Sequence, residues 1–373
     1  YFENPSAAAY TWAQSKGFEE YTKGLLGVSW QHEYNSNTTQ KTSVFSSFLN
    51  SYEPRPFNIL KEETNGIGIR TRLIQNTTLF KNELNWTIGI ELFNDANSYQ
   101  TYKNLYNTVP SGSELIQGEL LSNFKERRTY FNLFFDSKYT FSKKIHYTLG
   151  LNLNKTSYHL KDNLINNIPN FSGNYSFKTM ISPKIGIVYK NSLSTMLYGS
   201  ISHGFSPPTL EETLLPDGLI NSTIEPESGW NYEIGSRGQL FKNTVYFDIA
   251  IYRMDVKNLL VARRTSNDEY MGVNAGKTQY NGLEFTLKNT FIKTKNITLF
   301  GFHSFAYNDF KFKKFIDDSN DYSNNLLTGV PKLTYNATIG LESLNGFYTS
   351  VNYSFVGEIP LRDNNSVYSD EYQ

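Results

Sequence analysis

The stretch Trp230-Asn-Tyr-Glu-Ile-Gly-Ser-Arg-Gly-Gln-Leu240, followed by Phe241-Lys-Asn243 and then Thr244-Val-Tyr-Phe-Asp-Ile-Ala-Ile251, alternates with a period of two. Trp230, Tyr232, Ile234, Ser236, Gly238 and Leu240 share one face, and Asn231, Glu233, Gly235, Arg237 and Gln239 share the other. After the short turn, Val245, Phe247, Ile249 and Ile251 oppose Thr244, Tyr246, Asp248 and Ala250. Successive side chains of a strand point to opposite faces, so this is a hairpin with one apolar and one polar side. A soluble sandwich alternates too, but over shorter strands. Alternation over most of ten residues, with aromatics at the ends, suits a tilted strand crossing a bilayer with a wet interior behind it. The reading is an all-β, antiparallel, up-and-down transmembrane barrel.

Composition fits this reading. The 373 residues contain no cysteine, carry a formal net charge of +0, and include 27 Tyr and 27 Phe. Mean hydropathy is low, at -0.48, and no run approaches the roughly 20 apolar residues of a membrane helix. A barrel reconciles these facts, because half of each strand and every loop face water. A soluble all-β protein with Tyr-rich loops is the competing reading. Without cysteine there is no disulfide scaffold and no thiolate metal site. Zero net charge gives no support for a nucleic-acid partner.

The hairpin recurs along the chain. Short turns stand near residues 35–37, 80–82, 142–144, 190–192, 241–243, 294–296 and 344–346. Long polar connections stand near 51–63, 94–120, 160–178, 203–228, 257–277 and 310–331. Strict alternation of long and short connections is what a barrel with one extracellular and one periplasmic rim requires. About fourteen strands lie between them. A charge facing lipid at the midplane costs roughly 2–4 kcal/mol, so Arg70, Arg72, Glu91, Lys184, Glu233, Arg237, Asp248, Glu284 and Lys288 are expected to face the lumen.

These residues also carry a resemblance. His203-Gly204-Phe205-Ser-Pro207-Pro208-Thr-Leu-Glu-Glu212, Ile224-Glu-Pro226-Glu227-Ser228 and Tyr232-Glu233-Ile-Gly235 resemble the barrel of TonB-dependent receptors. So do Asn274-Ala-Gly276, Tyr280-Asn-Gly282-Leu-Glu284 and Leu327-Thr-Gly-Val-Pro331. Asn4-Pro-Ser-Ala-Ala-Ala9, Gly17-Phe-Glu-Glu-Tyr21 and Ser51-Tyr-Glu-Pro-Arg-Pro-Phe57 resemble the ferric-dicitrate-receptor branch. The resemblance implies a barrel domain over 1–373 holding about 14 of 22 strands, without the plug domain, the first strands and the last hairpin. It further implies an outer-membrane location and import of a ferric siderophore or ferric citrate. Energy would come from a TonB–ExbB–ExbD complex reached through an N-terminal region. Outer-membrane lipid and lipopolysaccharide would surround the wall. The same machinery could carry heme, cobalamin or an oligosaccharide, and a passive porin or structural barrel is a further reading.

Catalytic chemistry finds no support. The five histidines are scattered without zinc-protease spacing, and no phosphate-cradling glycine loop or nucleophile elbow appears. Neither an enzyme nor a cofactor is expected. Architecture explains several motif residues. Pro207 and Pro208 lack N–H donors and must stop a strand, and Gly282 permits close approach in a curved wall. Gly204, Glu227 and Gly235 are read the same way. For an anionic chelate, guanidinium forks match carboxylates, which nominates Arg55, Arg127, Arg128, Arg263, Arg264 and Arg362. Tyr52, Phe57, Tyr99, Tyr102 and Tyr270 could form aromatic walls, and His203 keeps heme open. Arg127 and Arg128 could instead anchor the rim or meet lipopolysaccharide phosphates.

Overall fold

The computed structural model describes residues 10–164, 170–213, 215, 219–221, 223–264, 270–317 and 320–373. The motif Asn4–Ala9 lies outside them. Fourteen strands form one antiparallel wall: β1 (Glu20–Asn35), β2 (Thr38–Pro54), β3 (Ile59–Leu79), β4 (Asn82–Asn104), β5 (Gln117–Thr140), β6 (Ile145–Asp162), β8 (Met180–Lys190), β9 (Thr195–Ser206), β10 (Glu227–Leu240), β11 (Val245–Lys257), β14 (Lys277–Lys293), β15 (Ile297–Lys314), β18 (Leu333–Ser343) and β19 (Tyr348–Val356). Each pairs with its chain neighbour, and the path from β1 to β19 does not close. Short ribbons decorate the long-loop rim: β7 (Gly173–Ser176) on β6, β12 (Leu260–Arg264) with β13 (Tyr270–Asn274), and β16 (Ile316–Asp317) with β17 (Asn320–Asp321). Helices α1 (Tyr10–Gln14) and α2 (Leu210–Thr213) are short. No described helix is long and apolar enough to cross a membrane.

Register fixes the faces. Ile234 stands opposite Ile251, Ser236 opposite Ile249, Gly238 opposite Phe247 and Leu240 opposite Val245. Residues opposite each other in an antiparallel pair share a face, so the apolar sets of both strands coincide. That face is the exposed one: Ile185, Ile234 and Val351 are 58%, 65% and 73% exposed. The other face carries Arg237 opposite Asp248 and Arg70 opposite Glu91, both ion-paired. Apolar side chains therefore point to lipid and charges to the lumen. The outer band ends where its residues turn polar, at Arg253 and Asp255, directly opposite Tyr232 and Trp230 on β10–β11. On β4–β5 it ends at Asn94 and Thr129, above Leu92 and Phe131.

Glycines on the inner face let neighbouring rings lie flat on the wall. A Cβ on Gly235 would come within 2.5 Å of the Tyr198 ring, and one on Gly282 within 2.2 Å of Tyr252. Gly66 and Gly68 admit Phe93 and Phe45 in the same way. Gly204 differs from the expectation: nothing lies within 4 Å of its Cβ position, so packing does not require glycine there. At the short rim, Phe80-Lys81 and Phe241-Lys242-Asn243 take positive φ from 50° to 69°, the backbone that tight hairpins joining twisted strands use.

Two long connections are shorter than the sequence suggests. The 51–63 connection narrows to residues 55–58, and the 94–120 connection narrows to 105–116. β2–β5 continue past the lipid band as paired ribbons. Hydrophilic residues such as Glu62, Asn97 and Gln100 read as loop, but a strand rising into water needs no apolar face.

Candidate functional site

Among the described residues, inward side chains and long connections meet in the loop-side half of the lumen, which has two parts. In the first, along β3–β6, the inner face is sealed. Asp95, 2% exposed, receives both forks of Arg128, with Nε 3.2 and 3.1 Å from its two oxygens and Nη2 closing the pair. Asn97 Nδ2 donates to Glu126 at 3.0 Å, and the Tyr99 hydroxyl donates to Glu62 at 3.0 Å. Leu60, Tyr99, Phe124, Leu160 and Leu210 form the hydrophobic cluster beside them. On the outer face, Glu63, Asn65, Lys125 and Arg127 occupy the same rows, so this network stands above the hydrocarbon. Burial pushes the Glu126 carboxyl up to about 7 against the help of Asn97 and Arg128, and pushes the Tyr158 phenol up to about 12.

The lid on this region comes from the segment after β9. β9 ends at Ser206, immediately before Pro207 and Pro208, as two residues lacking N–H donors demand. Tyr158 donates to the Pro208 carbonyl at 3.2 Å. Thr209 and Glu212 then form a capping box: the Thr209 amide donates to Glu212 at 2.7 Å, and the Glu212 amide to Thr209 at 3.3 Å. A pocket of about 130 Å³ remains between this lid and the wall, lined by Glu126, Tyr158, Leu160, Leu210 and Ile220.

The second part, along β9–β14, is open. Glu233, Asp248, Tyr252 and Glu284 line a lumen cavity of about 480 Å³. Arg237 is 4.0 Å from Asp248 and lies over the Tyr198 ring at 5.2 Å. The connections above are latched to one another. Glu227 accepts from the Leu260 amide at 2.5 Å, Asn258 donates to Glu225 at 2.8 Å, and Asn274 exchanges bonds with the Glu225 backbone at 2.8 and 3.1 Å. Pro226 accepts from Asn258 at 3.4 Å. Gly276, at φ 69°, sits where a Cβ would meet the Lys314 carbonyl at 2.1 Å. Glu225, Glu227 and Asn274 thus tie the end of the 207–226 connection and the start of β10 to the 258–276 connection, while Gly276 lies against Lys314 of β15. Nothing in their spacing tells that these two segments meet.

The nominated ligand residues do not converge. Arg55 is held at the β2–β3 tip by Asn58 at 3.0 Å and Glu53 at 3.5 Å, over the Phe57 ring at 4.9 Å. Arg127 and Arg128, adjacent on β5, point to opposite faces: Arg128 into the Asp95 pair and Arg127 outward, opposite Ala96 and His159. Alternation forbids them a shared ligand. Tyr52 stands on the outer face with Phe48 and Val44, under Lys61. His203 is likewise outward, directly opposite Trp230 with ring centroids 5.1 Å apart, and so cannot serve as a lumen ligand. Arg263 is on β12, and Arg362 is exposed in the final connection. The side chains of Arg264 and Tyr270 lie outside the described residues. An apolar depression of about 960 Å³ lined by Ile185, Ile201, Ile234 and Ile251 is on the lipid side and is membrane-facing surface. No group of His, Asp and Glu suited to a metal ion occurs among the described residues.

Comparison with known proteins adds the following. The model of the family described as TonB dependent receptor-like, beta-barrel, matches residues 2–373. Among solved structures, the siderophore receptor PiuA from Acinetobacter baumannii superposes with a TM-score of 0.74 at 13% identity, over 96% of this chain and 57% of that one. The ferric citrate transporter FecA, unliganded, gives 0.73 at 16% identity, over 95% and 53%. The ferric-catecholate import receptor Fiu from K12 E. coli, closed form, gives 0.69 at 13%, over 95% and 57%. At such identities the likeness is one of fold. The chain spans little more than half the length of these relatives.

Proposed function

The chain belongs to the TonB-dependent receptor β-barrel family, whose place is the bacterial outer membrane, and from that premise we propose that the complete protein imports a ferric chelate, siderophore or ferric citrate, with energy from the TonB system. The observation that carries this reading is the family match along the whole chain. The likeness of the wall to receptors named for ferric siderophores and ferric citrate supports it. The ligand would enter from the long-connection rim, and a TonB–ExbB–ExbD complex would act from the opposite side through an N-terminal region. An anionic chelate needs cations that are not already matched by a buried acid. Arg128 is spoken for by Asp95, whereas Arg362 is exposed. Arg362 on the final connection is therefore the proposed contact.

Uptake of radiolabelled ferric chelates under iron limitation tests the reading. A strain lacking the gene should lose accumulation of at least one anionic ferric chelate, and an uncoupler should abolish it in the parent. Undiminished uptake in the deletion strain for every ferric chelate tried contradicts the proposal.

A further inference from the structure

Glu126, 6% exposed beneath the lid, has an amide as its hydrogen-bond partner. It stands on β5 directly opposite Asn97 on β4. Asn97 Nδ2 donates to Glu126 Oε1 at 3.0 Å, while Asn97 Oδ1 is buried without a hydrogen-bond partner among the described residues. A carboxylate can only accept, so an ionised Glu126 leaves that oxygen orphaned. A carboxylic acid carries one O–H, which supplies the donor that Asn97 Oδ1 lacks. Acid and amide facing each other then close a ring of two bonds, and the orphan is gone.

The surroundings favour the same neutral form. Burial is the largest influence on Glu126 and raises its carboxyl, and Asp95 raises it further, against Asn97 and Arg128. Arg128 itself is committed to Asp95. On β6, Leu160 faces Glu126 across the pair, and the Tyr158 hydroxyl is turned to Pro208. On β3, Glu62 adds a further acid to the inner face, held by Tyr99 and Thr64. Tyr175 of β7 lines the same pocket as Glu126, whereas His159 and His203 lie on the outer face. From Pro207 to Pro226 the chain contains no lysine, arginine or histidine, so the lid offers an ionised Glu126 no counterion. Leu210, 6% exposed, packs with Leu60, Tyr99, Phe124 and Leu160. Lifting it is what would give Glu126 water.

We propose that Glu126 is a proton-operated latch: protonated and paired with Asn97, it holds the lid after β9 shut on the β4–β6 wall, and ionised, it releases the lid. Shutting the lid therefore binds a proton. In the shut state the carboxyl is raised to about 7, and in the released state it meets water and returns toward 4.5. The ratio of shut to released molecules is greatest below pH 4.5. It falls by up to about tenfold per pH unit as pH rises toward 7, then levels, a change on the order of a hundredfold. Acid closes this side of the loop-side lumen, and neutral or alkaline medium opens it.

Spin labels at Thr213, at the end of α2, and at Lys161, exposed near the end of β6, report the lid-to-wall distance in the purified full-length protein. Double electron–electron resonance should give chiefly one short distance at pH 5 and a population shifted to longer distances at pH 8. Glu126→Gln keeps the neutral shape and supplies an N–H to Asn97 Oδ1, so it should hold the short distance at both pH values. Glu63→Gln, on the outer face of β3, should respond to pH as the wild type does. A wild-type distance distribution that is the same at pH 5 and pH 8 overturns the proposal, whether or not the Glu126 variant folds. A pH-dependent shift that persists in folded Glu126→Gln overturns it too.

Discussion

The inner face of the wall holds two arginine–aspartate pairs in very different surroundings. Arg128 and Asp95 meet on β4–β5 beneath the lid that follows β9, with the carboxylate 2% exposed. Arg237 and Asp248 face each other on β10–β11 at 4.0 Å, with side chains 48% and 31% exposed. The sequence pattern of the two is the same: a charge on the polar side of an alternating strand, with its partner across the pair. Solvent makes the difference. The Asp95 carboxylate has lost its water and depends on Arg128, which is half-buried over it, while the open pair is screened and contributes little. An inner-wall charge is thus structural where a connection covers it and available to solutes where none does.

The largest expected effect follows from removing one partner of the covered pair. Arg128→Ala leaves the Asp95 carboxylate desolvated and uncompensated and should cost about 3–5 kcal/mol in denaturant unfolding of the detergent-solubilised full-length protein. Asp248→Ala should cost under about 1 kcal/mol. Similar costs for both would erase the distinction between the regions.

Next in size is a pH effect from the same covered network. The Glu126 carboxyl is raised from 4.5 to about 7, so the folded state binds a proton that the unfolded chain has released. Its contribution is fully present below pH 4.5 and is lost as pH rises through about 7, amounting to ~3 kcal/mol at most. Glu126→Gln should flatten unfolding midpoints between pH 5 and 8. An unchanged pH slope in that variant would contradict the burial argument.

A smaller effect separates the glycines. Gly282→Ala forces a methyl into the Tyr252 ring at 2.2 Å and should cost about 1–3 kcal/mol, with part regained in a Gly282→Ala/Tyr252→Ala double variant. Gly204→Ala meets open space and should fall within about 0.5 kcal/mol of wild type. Unfolding midpoints of the three variants decide it.

Much of the architecture is legible in the residues. Period-two alternation in 230–251, with charge on one side only, gives both faces of the hairpin, and the register confirms each assignment. The alternation of long and short connections gives the order of the wall strands. Legibility fails where burial comes from distant segments. Asp95 and Asp248 look alike until the lid after β9 is placed, and the latch of Glu227 on Leu260 joins residues that no local pattern relates. The alternation also carries information at Arg127 and Arg128: adjacent residues of β5 cannot share a pocket, and their joint nomination followed arginine chemistry instead of strand geometry. His203 and Tyr52 were open to the same check, since both share parity with lipid-facing neighbours, Ile201 and Phe48.

The central claim is that one face of each wall strand meets lipid and the other meets the lumen, and spin labels along 230–240 and 245–251 test it most directly. Single labels in the full-length protein, reconstituted in lipid vesicles, would be read for collision with oxygen and with a water-soluble nickel chelate. Oxygen access should peak at positions 232, 234, 247, 249 and 251. Nickel access or immobilisation should mark 233, 235, 237, 248 and 250. A profile without period two, or with the opposite phase, would contradict the account.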